Sequence, residues 1–267
     1  MVGIALVAMC GCGRFGFDAT TSSDGPVVPV EDDAPVIDAA IGHDEDSDGI
    51  GDLVDLCPHL PDSTQGDADG DLVGDACDPD PAVAGQTWVR FSPFTPADTG
   101  FVPTGTWTRG ADSWDHVDDG SASQLIATHA VSNVDVWMGF DITTIGPMNR
   151  QLAINVRQPG ASSPYYYGEL WEGSSGPKIS VTYFDGSGYA QQSMQPVPGG
   201  AYPTGRGQLH IRARQTPAPD FKLDVSIAAG FMLTQTIPDS YVGGTRVVIN
   251  AQNIGVSVRY VAIIATP

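Results

Sequence analysis

Beyond Gln86 the chain alternates apolar and polar residues. In "DVWMGFDI" Val136, Met138, Phe140 and Ile142 share one side, in "QLAINVRQ" Leu152, Ile154 and Val156 do, and in "GQLHIRAR" Leu209, Ile211 and Ala213 do. A period of two is that of a half-buried strand, whose successive side chains point to opposite faces. Comparable runs fall at 86–92, 123–128, 165–172, 178–184, 221–227, 231–237, 245–251 and 255–265, and Gly, Pro, Asn and Asp punctuate them, as in "FDGSG" and "VPGG". No stretch carries a helical stripe. About a dozen strands would overfill one sheet, so the pattern predicts a mainly β fold, a two-sheet antiparallel sandwich spanning 86–267.

Upstream of Gln86 the alternation stops. The apolar run Val2 to Ala8 is too short to cross a bilayer and is closed by small residues and cysteine, which reads as an export signal over residues 1–12. From 13 to 43 the chain is rich in Asp, Ser, Pro and Ala with no periodic apolar face, the composition of a disordered linker. Charge sharpens the division: the 267 residues carry a formal charge of -20, yet Arg14 is the one basic residue before Gln86. Such an acidic chain lacks the basic footprint that nucleic acid requires and has no charge-based attraction to anionic lipid.

The stretch "DEDSDGIGDLVDLC" packs its acids at fixed intervals. Counting from Asp44, carboxylates stand at positions one, three and five (Asp44, Asp46, Asp48), glycine at six (Gly49), and acids at nine and twelve (Asp52, Asp55). Alternate residues of a tightly curved backbone point their oxygens at one centre, and the carbonyl of Ile50 supplies a seventh-position ligand. All-oxygen donors suit Ca²⁺ rather than zinc or copper. Asp67, Asp69, Asp71, Asp75 and Asp78 repeat the spacing, with the carbonyl of Val73 in the equivalent place. Leu72 replaces the sixth-position glycine there, so the second turn is expected to differ. Asp62 and Asp80 are further candidates. In an exported chain Cys57 and Cys77, each closing an acidic loop, are most simply a disulfide, worth on the order of 3 kcal/mol for a ring of that size. The segment is too poor in apolar residues for a core of its own, so it is expected to order only with calcium and this bridge.

The aspartate loops, the "CP" at Cys57, the Gln65 before the second acidic run and "GDACD" at 74–78 together resemble thrombospondin type 3 repeats. That resemblance places the repeats at 44–81 and implies calcium wrapped by irregular backbone. The N-terminus resembles a bacterial lipoprotein signal, with Gly11 before Cys12 making Cys12 the lipidated residue; the alternative is a soluble secreted protein. The succession "DVWMGFDI", "LAINVR", "YYYGEL", "KISVTYF", "LHIRAR" and "FKLDVSI" looks like concanavalin A-like lectin and laminin G-like jelly rolls, which implies glycan or protein binding and, in some branches, glycoside hydrolysis.

Hydrolysis by retention needs two carboxyls about 5 Å apart. Glu169 and Glu172 are spaced by three, which puts them on opposite faces of a strand, and His43, His59, His116, His129 and His210 are scattered without metal-ligand spacing. Tyr165, Tyr167 and Trp171 share one side of a strand, where they either stack on sugars or pack as ordinary sheet aromatics. Trp88, Trp107, Trp114 and Trp137 read as core or edge residues, and 109–120 as a polar acidic loop. The sequence therefore points to a non-enzymatic, exported, cell-surface or extracellular calcium-binding protein. In it a calcium-stiffened spacer presents a lectin-like sandwich to a glycan or a surface protein, with membrane contact through a lipid anchor only. The alternatives are a structural envelope protein without a small ligand and, third, a glycan-cleaving enzyme.

Overall fold

The computed structural model describes residues 36–37, 42–96, 98–131, 133–147, 149–159, 164–202, 206–215, 220–227, 231–238 and 244–267. The expected signal segment with Cys12, and most of the expected linker, lie outside the described residues.

Every regular element among the described residues is a strand. In chain order they are β1 (Val36–Ile37), β2 (Thr87–Ser92), β3 (Val102–Thr104), β4 (Trp107–Arg109), β5 (Trp114–His116), β6 (Ala122–Thr128), β7 (Val134–Ile145) and β8 (Arg150–Gln158). There follow β9 (Tyr165–Gly173), β10 (Gly176–Phe184), β11 (Tyr189–Pro196), β12 (Arg206–Gln215), β13 (Asp220–Ile227), β14 (Met232–Pro238), β15 (Arg246–Gln252) and β16 (Ile254–Ala265). One sheet has the order β1-β2-β16-β7-β12-β13-β14, with the β4–β5 hairpin attached to β16 through β5; the other runs β11-β10-β9-β8-β15-β6-β3. Apart from the short parallel contact of β1 with β2, the pairings are antiparallel. This is the mainly β, two-sheet antiparallel sandwich that the alternation predicts, with the jelly-roll class that the resemblance implies.

The inward faces are the ones the periodicity marks. Val136, Met138 and Phe140 of β7 and Leu209, Ile211 and Ala213 of β12 meet Leu152, Ile154 and Val156 of β8 in one buried cluster. Side chains standing perpendicular to a pleated sheet interdigitate there, and water is excluded from both faces of the seam.

Besides the short β3, which pairs with β6 where the alternation marks no run, two stretches depart from expectation. The region read as an open polar loop contains a hairpin: β4 pairs with β5, Trp107 opposite His116 and Arg109 opposite Trp114. Trp107 and Trp114 are both buried, and Asp115 Oδ1 accepts from the hydroxyls of Ser113 and Ser257. Two buried tryptophans outweigh the polar residues between them. The second is β11, which the pattern did not mark and which pairs along β10.

The outer face of the larger sheet is not solvated either. Trp88 and Phe91 of β2, Trp137 of β7, and Tyr260, Ala262 and Ile264 of β16 form a second apolar cluster there with Cys57, Val73 and Cys77 of the acidic segment. A register shift between Val258 and Tyr260 keeps Val258 and Val261 inside while Tyr260 turns outward. Gly139 of β7 makes room for the Tyr260 ring, since a Cβ there would stand 2.1 Å from the ring. The acidic segment is thus folded onto the sandwich rather than serving as a free spacer, which corrects the expectation. It has no core of its own and completes one with the sheet.

Candidate metal centre

The acidic segment is a structural duplicate with a constant shift of 23 positions, Asp44 to Asp67. Asp44 accepts the N–H groups of Ser47 and Gly49, and Asp67 those of Gly70 and Leu72. The N–H of Asp48 donates to Asp46 Oδ1 and that of Ile50 to Asp48 Oδ1; Asp71 to Asp69 and Val73 to Asp71 repeat this. Each aspartate bends the backbone two residues on, which is what a short acceptor side chain does in a turn. Even the outgoing contacts match: Asp48 Oδ2 accepts from the Asp62 N–H, Asp71 Oδ2 from the N–H groups of Gly85 and Gln86.

The turns also match, against expectation. Left-handed φ values recur at Ser47 (65°) and Gly70 (81°), and at Gly49 (96°) and Leu72 (74°). Leu72 adopts the glycine conformation because its N–H must reach Asp67 and because its side chain, 68% exposed, meets no obstacle.

Within each loop three carboxylates converge. Asp44, Asp46 and Asp48 each place an oxygen within 4.8 Å of the others, and Asp67, Asp69 and Asp71 do the same. Four oxygens are buried with no hydrogen-bond partner among the described residues: Asp46 Oδ2 and its counterpart Asp69 Oδ2, and Asp55 Oδ2 and its counterpart Asp78 Oδ2. Burial pushes Asp46 up to about 7 and Asp78 up to about 6, and it also raises Asp52 and Asp55. Buried carboxylates without counter-charge lose their preference for the ionised form, and a divalent cation at the shared centre restores it. The donor set, all oxygen and chiefly carboxylate, fits Ca²⁺.

Positions nine and twelve differ in their surroundings. Asp52 accepts the Glu45 N–H on Oδ1, and its Oδ2 lies 2.6 Å from His43 Nδ1; Asp75 Oδ1 accepts the Ala68 N–H. Each of these carboxylates thus holds a backbone N–H of its own loop with one oxygen. Asp55 and Asp78 are buried and each uses one oxygen on the N–H two residues ahead, Cys57 and Asp80 respectively, leaving the other oxygen without a protein partner. Asp62 instead accepts from both the N–H and the hydroxyl of Thr64.

Gln65 joins the two halves. Its Nε2 donates to Asp55 Oδ1 and the Asp62 carbonyl, and its Oε1 accepts the Leu56 N–H. The Cys57–Cys77 disulfide closes the same junction, with Cα atoms 5.6 Å apart. Gly74 packs against it so closely that a Cβ would stand 2.7 Å from Cys57 Sγ.

Beside the apolar cluster, polar and aromatic contacts through His59, Arg212 and Arg259 fasten the duplicate to the sheet, and none of them has a spacing signature in the sequence. His59 is buried in a box of Trp88, Phe91, Trp137 and Tyr260, with ring centroids 5.2 to 6.5 Å away. Desolvation lowers its pKa to about 3, so the ring is neutral. Arg212 donates to the Pro79 carbonyl while its Nε donates to Asp135, which is fully buried and also pairs with His210. Arg259 pairs with Glu45, and its Nε lies 3.0 Å from Asp141 Oδ2.

On the outer side of the smaller sheet, Glu169 is buried and accepts from Ser180 and Gln151, beside Trp171. Burial raises its pKa. Glu172, on the other side of β9, pairs with Arg150. Tyr167 is buried and Tyr165 packs against it and Phe184, ordinary sheet packing for both, while Trp171 lies under the Lys178 ammonium.

No family model matches this chain, and no curated protein matches it. Solved structures are similar to it over about two thirds of the chain. They include a beta-glucanase from Bacillus licheniformis, at 7% identity over 69% of this chain and 100% of that one, TM-score 0.49. The carbohydrate recognition domain of Emp47p is 9% identical over 64% and 90%, TM-score 0.48. Lectin I-B4 from Griffonia simplicifolia, in its metal-free form, is 12% identical over 67% and 98%, TM-score 0.47.

Proposed function

We propose that this is an exported calcium-binding protein of the cell surface, anchored through a lipid on Cys12, that uses its lectin-like sandwich for adhesion or carbohydrate binding. One ion is held by Asp44, Asp46, Asp48 and Asp55 with the carbonyl of Ile50, the second by Asp67, Asp69, Asp71 and Asp78 with the carbonyl of Val73, and Asp52 and Asp75 brace the two loops. The observation that carries the calcium reading is the recurrence, 23 residues apart, of buried aspartate oxygens with no partner among the described residues. Sequence and residue chemistry support the remainder: the Gly11-Cys12 ending for the anchor, and for glycan binding the grouping of Trp171, Gln151 and Glu169, an aromatic face beside polar groups.

Calorimetric titration of the oxidised full-length protein tests the metal reading. The expected result is two ions per chain with dissociation constants of roughly 10⁻⁴ to 10⁻³ M, the range of extracellular modules. Asp46→Asn and Asp69→Asn should each weaken one site by about tenfold or more, near 1.4 kcal/mol. Absence of stoichiometric Ca²⁺ in equilibrium dialysis at millimolar supply overturns it. A polysaccharide panel probed with the same protein tests the sandwich: retention on at least one glycan is expected, and retention on none leaves the structural envelope role.

A further inference from the structure

A cavity of about 480 Å³ lies where the first aspartate loop meets the sandwich. Its lining includes Asp46 and His59 from the acidic segment and Arg206, Gln208, Phe231 and Tyr260 from the sheet side. Both folds of the protein are needed to build it. Most of the exposed lining is apolar, so it can desolvate a hydrophobic body.

Its polar groups are few and unequal. Glu45 at the rim is already paired with Arg259. Gln208 Nε2 is spent on the Tyr260 hydroxyl and the His59 carbonyl. Two groups remain uncommitted among the described residues. The Arg206 side chain is exposed, makes no ion pair or hydrogen bond among the described residues and acts on Glu45 only through longer-range charge, and both ring nitrogens of His59, a residue only 2% exposed, lack partners there. A neutral imidazole offers one donor and one acceptor, and a buried one without partners is costly unless a bound group satisfies it.

We infer that this cavity is a binding site for a small organic anion with an apolar body, its charged group on Arg206, its hydrogen-bonding group on His59, and its body against Phe231 and Tyr260. Asp46 is the one carboxylate in the lining without a basic partner, and it belongs to the first loop. Resting on the calcium reading above, a cation in that loop removes the negative charge facing the ligand. Calcium and the anion then bind with positive coupling, and by linkage each tightens the other.

The probe is anilinonaphthalenesulfonate, an anionic dye with an apolar body, titrated by fluorescence into the full-length protein with and without millimolar calcium. One saturable site is expected, tightened about threefold to tenfold by calcium. Arg206→Gln should weaken it by about fivefold to tenfold and leave the neutral dye Nile red unaffected. Ala201→Trp, at an exposed position in the lining, should fill the cavity and abolish binding of both dyes. Calorimetry with Ca²⁺ on the same samples keeps the two readings apart. If no calcium binds yet both variants still control dye uptake, the anion site stands and only the coupling falls. If dye uptake is indifferent to Ala201→Trp and Arg206→Gln, the anion site is wrong whatever calcium does.

Discussion

The aspartate duplicate and the sandwich solve opposite problems. The sandwich has apolar side chains in excess and closes them between two sheets; the duplicate has carboxylates in excess and almost nothing to bury. The apolar groups it does bury, Val73 and the disulfide with Leu60 beside them, face Trp88, Phe91 and Tyr260, while Leu53, Val54 and Leu72 stay exposed. The difference shows that a segment without a core of its own need not be a loose tether: it can borrow the outer face of a neighbouring sheet and leave its charged loops to a cation. It also explains the second face of β16, whose "VRYVAIIA" run is apolar on both sides because both sides are covered.

The most damaging single change should fall on the joint between the regions. Asp135 holds His210 and Arg212, and Arg212 holds Pro79. Burial alone would raise its pKa, but its pairing and hydrogen bonds with His210 and Arg212 pull it below the ordinary carboxylate range. Asp135→Ala strands the Arg212 guanidinium and leaves His210 Nε2 without its partner, at a cost of about 3–5 kcal/mol in urea unfolding. The ionised form is the stabilising one, so the wild-type contribution is full above the unfolded carboxylate pKa and is lost as pH falls through the lowered folded value. Asp135→Asn should lack that acid-limb loss. A cost below 1 kcal/mol for Asp135→Ala would mean that the regions are held by apolar contact alone.

Removing the disulfide by Cys57→Ala with Cys77→Ala should cost about 3 kcal/mol, and it should do so locally. Hydrogen exchange is expected to lose protection in 42–86 while the amides of β8 and β9 keep theirs. Uniform loss across both regions would erase the distinction drawn here and make the molecule one cooperative unit.

How far the sequence reveals this differs between the regions for a physical reason. Inward faces such as Val136, Met138 and Phe140 are legible because a period of two leaves no other arrangement that buries them. The convergence of Asp44, Asp46 and Asp48 is legible because ligand geometry fixes the spacing. The outer face of β7 is not: Asp135, Trp137, Gly139 and Asp141 have the look of a solvated edge, and distant groups cover it, His210 and Arg212 on Asp135, His210 and His59 on Trp137, and Tyr260 on Gly139. Gln65 and His59 act through single contacts that no local pattern announces. The 107–116 hairpin was masked by the polar residues separating its two tryptophans.

The smallest effect tests whether the two loops are truly equivalent. They share their hydrogen bonds and φ angles but not the residue at position six, Gly49 in one and Leu72 in the other. A non-glycine residue in the left-handed region costs roughly 1–2 kcal/mol. Glycine gives back part of that, about 0.5–1 kcal/mol, through the freedom it loses on folding. Leu72→Gly should therefore tighten calcium at the second loop by only about twofold to fivefold, and Gly49→Leu should weaken the first by a similar factor. Because Leu72 is exposed and a Cβ at Gly49 meets nothing within 4 Å, neither change disturbs packing, and the difference between them reads backbone strain alone. If Leu72→Gly instead weakened the second loop, the leucine side chain would be contributing a contact that its exposure does not reveal, and the two loops would be alike in shape but not in what holds them.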